Sequence, residues 1–324
     1  MRLSGKKILI TGGAGFIGSN LCEYFLEANR VICLDNLSTG KQSNLTNLIN
    51  HPNFTFIQDD IRNLNACRAA AKGCDFILHQ AALGSVPRSI ADPISTNDNN
   101  INGFLNVLQA AREEGVKRVV YAGSSSTYGD HPDLPKVEDK IGRQLSPYAI
   151  TKYVNELYAG VYHKVFDMEI IGLRYFNVFG KNQNPDGAYA AAIPKFIRAF
   201  LRGEEVTVYG DGTQSRDFTY IKNVIQANEK AILCDNPHAL GEPFNVAYGE
   251  ATTLNELLEV LAELIGNKDE LLKWVKYTEK RLGDVEHSLA DISKAKNILH
   301  YNPTHNLKAG LKEAIQWYKE NLNA

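Results

Sequence analysis

Tyr148 and Lys152 stand four residues apart at the start of a strongly helical stretch. That is about one helical turn, so the phenol and the ammonium leave the helix on one face. A free tyrosine, with pKa about 10, is a poor base at neutral pH. A neighbouring lysine charge favours the phenolate and brings that pKa toward the working range. Upstream lies a glycine-rich turn with Gly12, Gly15 and Gly18, and between the two motifs Ser124, Ser125 and Ser126 follow an apolar run. One of these serines can hydrogen-bond a substrate hydroxyl and share its proton with Tyr148; a serine turn capping a helix accounts for the other two. Taken alone, the Tyr148/Lys152 pair also fits a helix with one packed tyrosine and one solvated lysine. With the turn and the serines, the pattern reads as nicotinamide chemistry: a hydride moves and Tyr148 carries the proton.

The glycines follow a first strand and open a first helix. They permit a tight turn, close approach of backbone to a pyrophosphate, and tight helix–strand packing, with the helix N-terminus facing the phosphates. Asp35 closes the next strand, 17 residues after Gly18. A carboxylate there accepts hydrogen bonds from an adenosine ribose and repels a 2′-phosphate, which selects NAD over NADP. Asp59, Asp60 and Ile61 end the third strand and either reach adenine or form a solvated turn.

The elements that must position these groups alternate. Short apolar runs at 8–10, 31–35, 54–57, 76–78, 118–121 and 170–173 are separated by helical stretches over about 175 residues. This predicts an α/β fold: a doubly wound, Rossmann-type parallel sheet. After Tyr175 the texture changes to a polar loop, a helix over 193–201, a short strand at 207–209 and amphipathic helices over 254–265 and 307–322. We read residues 1–176, with returning segments near 217–246, as the dinucleotide-binding domain. Residues 177–216 and 247–324 form a smaller mixed α/β substrate lobe.

Composition narrows the function classes. The chain has 324 residues, 44% hydrophobic and 22% charged, with net charge −2. Those values suit a soluble globular protein and argue against nucleic acid or an anionic membrane as partner. The five cysteines are scattered and form no metal-ligand pattern, so no metal is expected and the thiols fit a reduced, cytoplasmic setting. No apolar run is long enough to span a bilayer.

With these residues in view, the chain resembles the extended short-chain dehydrogenase/reductases, marked by GxxGxxG and YxxxK. It is most similar to their UDP-hexose 4-epimerase group, closest to the bacterial UDP-N-acetylglucosamine 4-epimerases. The matching segments are 11–18, 34–40 (LDNLSTG), 79–89 (HQAALGSVPRS), 124–129 (SSSTYG), 146–156, 174–180, 210–218 (GDGTQSRDF) and 281–291. The resemblance implies that Ser124 and Tyr148 handle the sugar 4-hydroxyl, while Lys152 tunes Tyr148 and holds the nicotinamide ribose. It implies that Gly12, Gly15, Phe16, Ile17, Asp35, Asn36, Ser38, Gly40, Asp60, Ile61, Gln80, Ala81, Asn100 and Tyr175 line NAD. Gly84, Ser85, Ser125, Ser126, Asn177, Tyr209, Arg216, Arg281, Asp284 and Ser288 would meet the nucleotide sugar. Arg216 and Arg281 also suit a diphosphate on chemistry alone, since guanidinium binds phosphate in bidentate fashion.

The implied reaction is C4 epimerisation of a UDP-sugar through a transient 4-keto sugar, UDP-GlcNAc to UDP-GalNAc. UDP-glucose or UDP-glucuronate are the alternative substrates. Nucleotide-sugar dehydratases and decarboxylases share the fold but carry acids where Ser125 and Ser126 stand here. An inactive NAD-sensing protein would not need Ser124, Tyr148 and Lys152 intact. Val154, Leu157, Val161 and Val165 form a second apolar stripe on the Tyr148 helix. In the family such helices pair into a homodimer; core packing is an equal reading.

Overall fold

The computed structural model describes residues 2–186, 190–279 and 286–322. The amino-terminal part alternates strands and helices: β1 (Lys7–Thr11), α1 (Phe16–Leu26), β2 (Arg30–Asp35), β3 (Phe54–Gln58), α2 (Leu64–Ala71) and β4 (Phe76–His79). Two short helices follow, α3 (Val86–Ala91) and α4 (Pro93–Asn97), then α5 (Gly103–Glu113), β5 (Arg118–Ser124), α6 (Pro147–Phe166) and β6 (Glu169–Tyr175). The remainder holds shorter pieces: β7 (Val178–Phe179), α7 (Ala192–Arg202), β8 (Val206–Tyr209), β9 (Ser215–Asp217), β10 (Thr219–Tyr220) and α8 (Ile221–Leu233). Last come β11 (Pro243–Val246), β12 (Ala251–Thr253), α9 (Leu254–Ile265), α10 (Lys268–Leu272), β13 (Val275–Thr278), α11 (Ser293–Leu299) and α12 (Leu307–Asn321).

The central sheet runs β3-β2-β1-β4-β5-β6-β11 and is parallel throughout. Strand order reverses between β1 and β4, where a doubly wound sheet opens its ligand crevice. Both faces are covered, so Ile8, Leu9, Ile10, Ile77, Leu78, Val119 and Val120 are all buried. Such strands read as unbroken apolar runs rather than alternating ones. Smaller pairings, β8 with β13 and β9 with β12, build the carboxyl-terminal part.

The catalytic-type helix α6 begins where its sequence dictates. Ser146 is the N-cap and accepts from Ala149 N at 3.2 Å, and Pro147 fills the first turn. Arg174 of β6 then holds α6 in place. Its guanidinium meets both Glu156 carboxylate oxygens, at 2.8 and 2.7 Å, in a buried pair one turn beyond Lys152.

Candidate active site

The sheet lays the candidate groups in a row. Gly12 follows β1, Gln80 follows β4, Ser124 ends β5 and Tyr175 ends β6, and these are neighbouring strands. Adjacent strands lie about 4.8 Å apart, so a dinucleotide turn and a proton-transfer group fall within about 10 Å of each other.

The turn after β1 is a cradle that glycine alone fits. Gly12 has φ +69°, and a Cβ there would lie 2.7 Å from the Ala81 backbone. A Cβ on Gly18 would lie 2.1 Å from the Gly12 carbonyl oxygen. Gly12, Gly15, Phe16, Ile17, Asp35, Asn36, Ser38, Ile61, Gln80 and Ala81 line one cleft, with Gly84 at its wall. The Asp35 carboxyl accepts from Ala14 N at 2.9 Å and Leu37 N at 2.7 Å, which fixes it at the end of β2. Burial raises its pKa, with those backbone N–H groups opposing. A bare helix start, a steric channel for backbone and an acid at the second strand end fit a dinucleotide with a free ribose 2′-hydroxyl.

Other candidates act behind this wall. Gly40 packs on the turn, where a Cβ would sit 2.9 Å from the Ala14 carbonyl carbon. Asp60 accepts from Asn36 Nδ2 at 2.7 Å and pairs with Arg62, which holds its pKa down at about 2; its neighbours Asp59 and Ile61 face the cleft. Asn100 is buried and spends its amide on Leu83 N, at 2.8 Å, and Thr151 Oγ1, at 3.0 Å, clamping the cleft wall to α6. The Tyr175 hydroxyl donates to Gln80 Oε1 and accepts from Asn228 Nδ2, at 3.2 and 2.9 Å. Asn228, on α8, carries no motif and was invisible in the sequence.

At the end of β5, Ser124 is the serine that acts on the Tyr148 phenol, favouring its ionised form. Ser126 Oγ donates to Ser124 Oγ at 2.9 Å, and Ser125 opens the following turn. Burial pushes the Tyr148 phenol above its usual value, while Ser124 works the other way. Lys152 is buried, donates from Nζ to the Ala122 carbonyl at 2.9 Å, and is pulled down to about 8 by that burial. Here the structure departs from the simple reading of the pair: the lysine is anchored to β5, and desolvation outweighs any lowering of the phenol. His79, packed below, is held down at about 3 by burial and then by the Lys152 charge, so its ring is neutral.

A second cleft gathers Asn177 with Tyr209 and Arg216, which lie 32 and 39 residues further along the sequence. Lys195, Phe196 and Phe218 join them there; a single lysine on an amphipathic helix carries no motif, so the sequence did not single it out. Ser85 caps α3, accepting from Arg88 N at 3.2 Å. Ser288 is half-buried and donates its N–H to the Ser215 carbonyl at 3.0 Å. It does not cap α11, which starts at Ser293 with the Asp291 carboxyl accepting from Ser293 N at 2.7 Å. Arg281 and Asp284 lie outside the described residues. Among the described residues, no acid–His–Cys cluster could hold a metal, and no helix is long and apolar enough to cross a membrane.

Fold and cradle together define a dinucleotide-dependent enzyme class. The family model for the NAD-dependent epimerase/dehydratase family matches residues 8–247. The chain is 36% identical over 317 residues to a putative UDP-glucose 4-epimerase of Methanocaldococcus jannaschii, covering 97% of this chain and 99% of that protein. A UDP-N-acetylglucosamine 4-epimerase of Methanobrevibacter ruminantium, solved with UDP-N-acetylmuramic acid, superposes with TM-score 0.91 at 38% identity, over 98% of this chain and 99% of that one. A UDP-glucuronic acid 4-epimerase of Bacillus cereus, solved with UDP-glucuronic acid and NAD, gives TM-score 0.88 at 33% identity, over 97% and 99%. The chain belongs to the NAD-dependent epimerase/dehydratase family.

Proposed function

We propose that the protein inverts C4 of a UDP-hexose, with UDP-GlcNAc and UDP-GalNAc as the pair it interconverts. The observation that carries this reading is the pairing of Ser124 with the buried Tyr148 phenol at the end of β5, in the strand row that also holds the dinucleotide cradle. NAD, when bound, supplies a hydride acceptor and donor for C4. Tyr148 takes the 4-hydroxyl proton and returns it, and Ser124 holds that hydroxyl in line. Lys152 favours the phenolate by its charge and binds the nicotinamide ribose. Asn177, Arg216 and Lys195 hold the diphosphate, and Tyr209 lies beside the uracil. Anchoring the nucleotide while the keto sugar turns over uses remote binding energy for positioning. Net redox change is zero, so the cofactor stays with the protein through turnover.

Ser125 and Ser126 offer no acid for elimination or decarboxylation, which favours epimerisation. Small residues at Ser288 and Gly84 favour an acetamido sugar, because a phenol ring at Ser288 would fill the space that group needs. The 36% and 33% identical epimerases for UDP-glucose and UDP-glucuronic acid support a second reading with one of those substrates. The test is incubation of purified protein, without added NAD, with UDP-GlcNAc, UDP-glucose and UDP-glucuronate, reading products by NMR. UDP-GalNAc should form fastest. Ser288→Tyr should then lower kcat/KM for UDP-GlcNAc by about 10–200-fold relative to UDP-glucose. Equal losses on both substrates would remove Ser288 from specificity.

A further inference from the structure

Three successive residues of β9 grip one piece of chain. Ser215 N donates to the Glu286 carbonyl at 3.1 Å, its carbonyl accepts from Ser288 N at 3.0 Å, and its hydroxyl lies 2.9 Å from His287 Nδ1. Arg216 Nη1 donates to the Glu286 carbonyl at 3.2 Å. The Asp217 carboxyl is fully buried, and its Oδ2 accepts from Ala290 N at 3.2 Å. The same carboxyl takes Tyr248 N at 3.2 Å and Gly249 N at 3.1 Å, from the turn between β11 and β12. The main-chain carbonyl of Asp217 accepts from Asn177 Nδ2 at 3.1 Å. Asp217 therefore stands where both candidate diphosphate contacts, Asn177 and Arg216, meet the segment that carries Ser288.

We propose that Asp217 is a positioning residue for the nucleotide sugar: its carboxyl fastens residues 286–290 and the 248–249 turn to β9, and so sets Asn177, Arg216 and Ser288 in one arrangement. The inference rests on the UDP-sugar reading above. A carboxyl is a costly choice for packing alone, and burial pushes this one up to about 7 against the pull of its backbone N–H partners. What it supplies is two oxygens that accept from two separate segments at once, which an apolar side chain cannot do. Ser124, Tyr148 and Lys152 sit on β5 and α6, and none of the hydrogen bonds named at this junction reaches them, so the effect falls on binding rather than on the chemical step.

Asp217→Asn in the full-length, NAD-containing protein tests this. However the amide turns, its NH₂ faces a backbone N–H donor: in the Oδ2 place it costs Ala290 its acceptor, in the Oδ1 place it costs Tyr248 its acceptor, and Gly249, which reaches both oxygens, keeps one. KM for UDP-GlcNAc should rise at least about tenfold while kcat stays within about threefold, the pattern of lost uniform binding. NAD content should hold, Tm should fall by no more than a few degrees, and hydrogen exchange should quicken at 286–290 or at 248–249 but not in β1 or β4. A parallel fall in kcat, NAD content and Tm would make Asp217 a mere fold residue, and an unchanged KM would overturn the proposal. If the variant does not fold, Ser215→Ala cuts one tie to the same segment and should raise KM about threefold at constant kcat; an unchanged KM there overturns it equally. Calorimetry of UDP-GlcNAc on the wild type separates the two levels. No binding would sink the UDP-sugar reading and this inference with it, whereas normal binding and turnover with an indifferent Asp217→Asn would sink this inference alone.

Discussion

Lys152 is the residue on which the proposed acid–base pair turns. Its ammonium is buried among β5 and α6, reaches a single carbonyl at 2.9 Å, and is pulled down to about 8. Burial disfavours its charged form; Glu156, one turn on, opposes this but does not cancel it. The charge is present below pH 8 and is lost above it. If that charge is what favours the Tyr148 phenolate, kcat/KM should fall on the alkaline side with an apparent pKa near 8, by about tenfold per unit once the proton is gone. A pH–rate profile on the purified enzyme measures this directly. A profile level to pH 10 would mean the lysine keeps its proton and that Tyr148 is tuned by another group.

At the scale of elements, the first β-α-β unit has a sharp steric requirement. Gly18 lies inside α1, where alanine is ordinarily the better helix former. Here a Cβ would sit 2.1 Å from the Gly12 oxygen and 2.8 Å from Gly13 Cα, both backbone atoms that cannot swing aside. Gly18→Ala should force α1 away from the turn and lower NAD retention by at least about tenfold, since the helix start would no longer point its N–H groups at the phosphates. The nucleotide released on denaturing the purified variant, quantified by chromatography, checks this; full NAD occupancy would show that the turn adapts. This unit was legible in the sequence because buried parallel strands are unbroken apolar runs and the glycines have fixed spacing around them. The sequence also placed Tyr148 and Lys152 at the start of a helix, and α6 does begin there, at Pro147. What the sequence hid has a physical cause too. β9 and β12 have three residues each, too short for any period, and β13 is largely exposed, with no apolar face to announce it. Asn100 reads as a ligand contact by resemblance, yet its amide is consumed by Leu83 and Thr151. The Arg174–Glu156 pair joins residues 18 apart on different elements, and no local pattern announces such a contact.

At the scale of the whole molecule, one apolar face among the described residues has no covering element. One side of α6 is interior, with Ala149, Lys152, Asn155, Ala159 and Tyr162 packed on the sheet and its neighbours. The opposite side carries Ile150, Leu157, Val161 and Val165, all at least half exposed, at spacings that keep them in one stripe. Ile90 on α3 and Ile94 on α4 extend it, the latter 81% exposed, and both short helices pack against α6. Single exposed apolar residues are ordinary, but a continuous stripe over a 20-residue helix marks a contact surface. We propose that a second copy covers it, two α6 helices and their α3–α4 neighbours meeting about a two-fold axis, as the stripe is self-complementary and the net charge of −2 adds little repulsion. Sedimentation equilibrium should give twice the chain mass at micromolar concentration. The double substitution Leu157→Lys and Val161→Lys places charges in the middle of the stripe and should give a monomer with its NAD still bound, because the interior face of α6 is untouched. A wild type that sediments as a monomer would return the stripe to the surface and leave its apolar character without a partner.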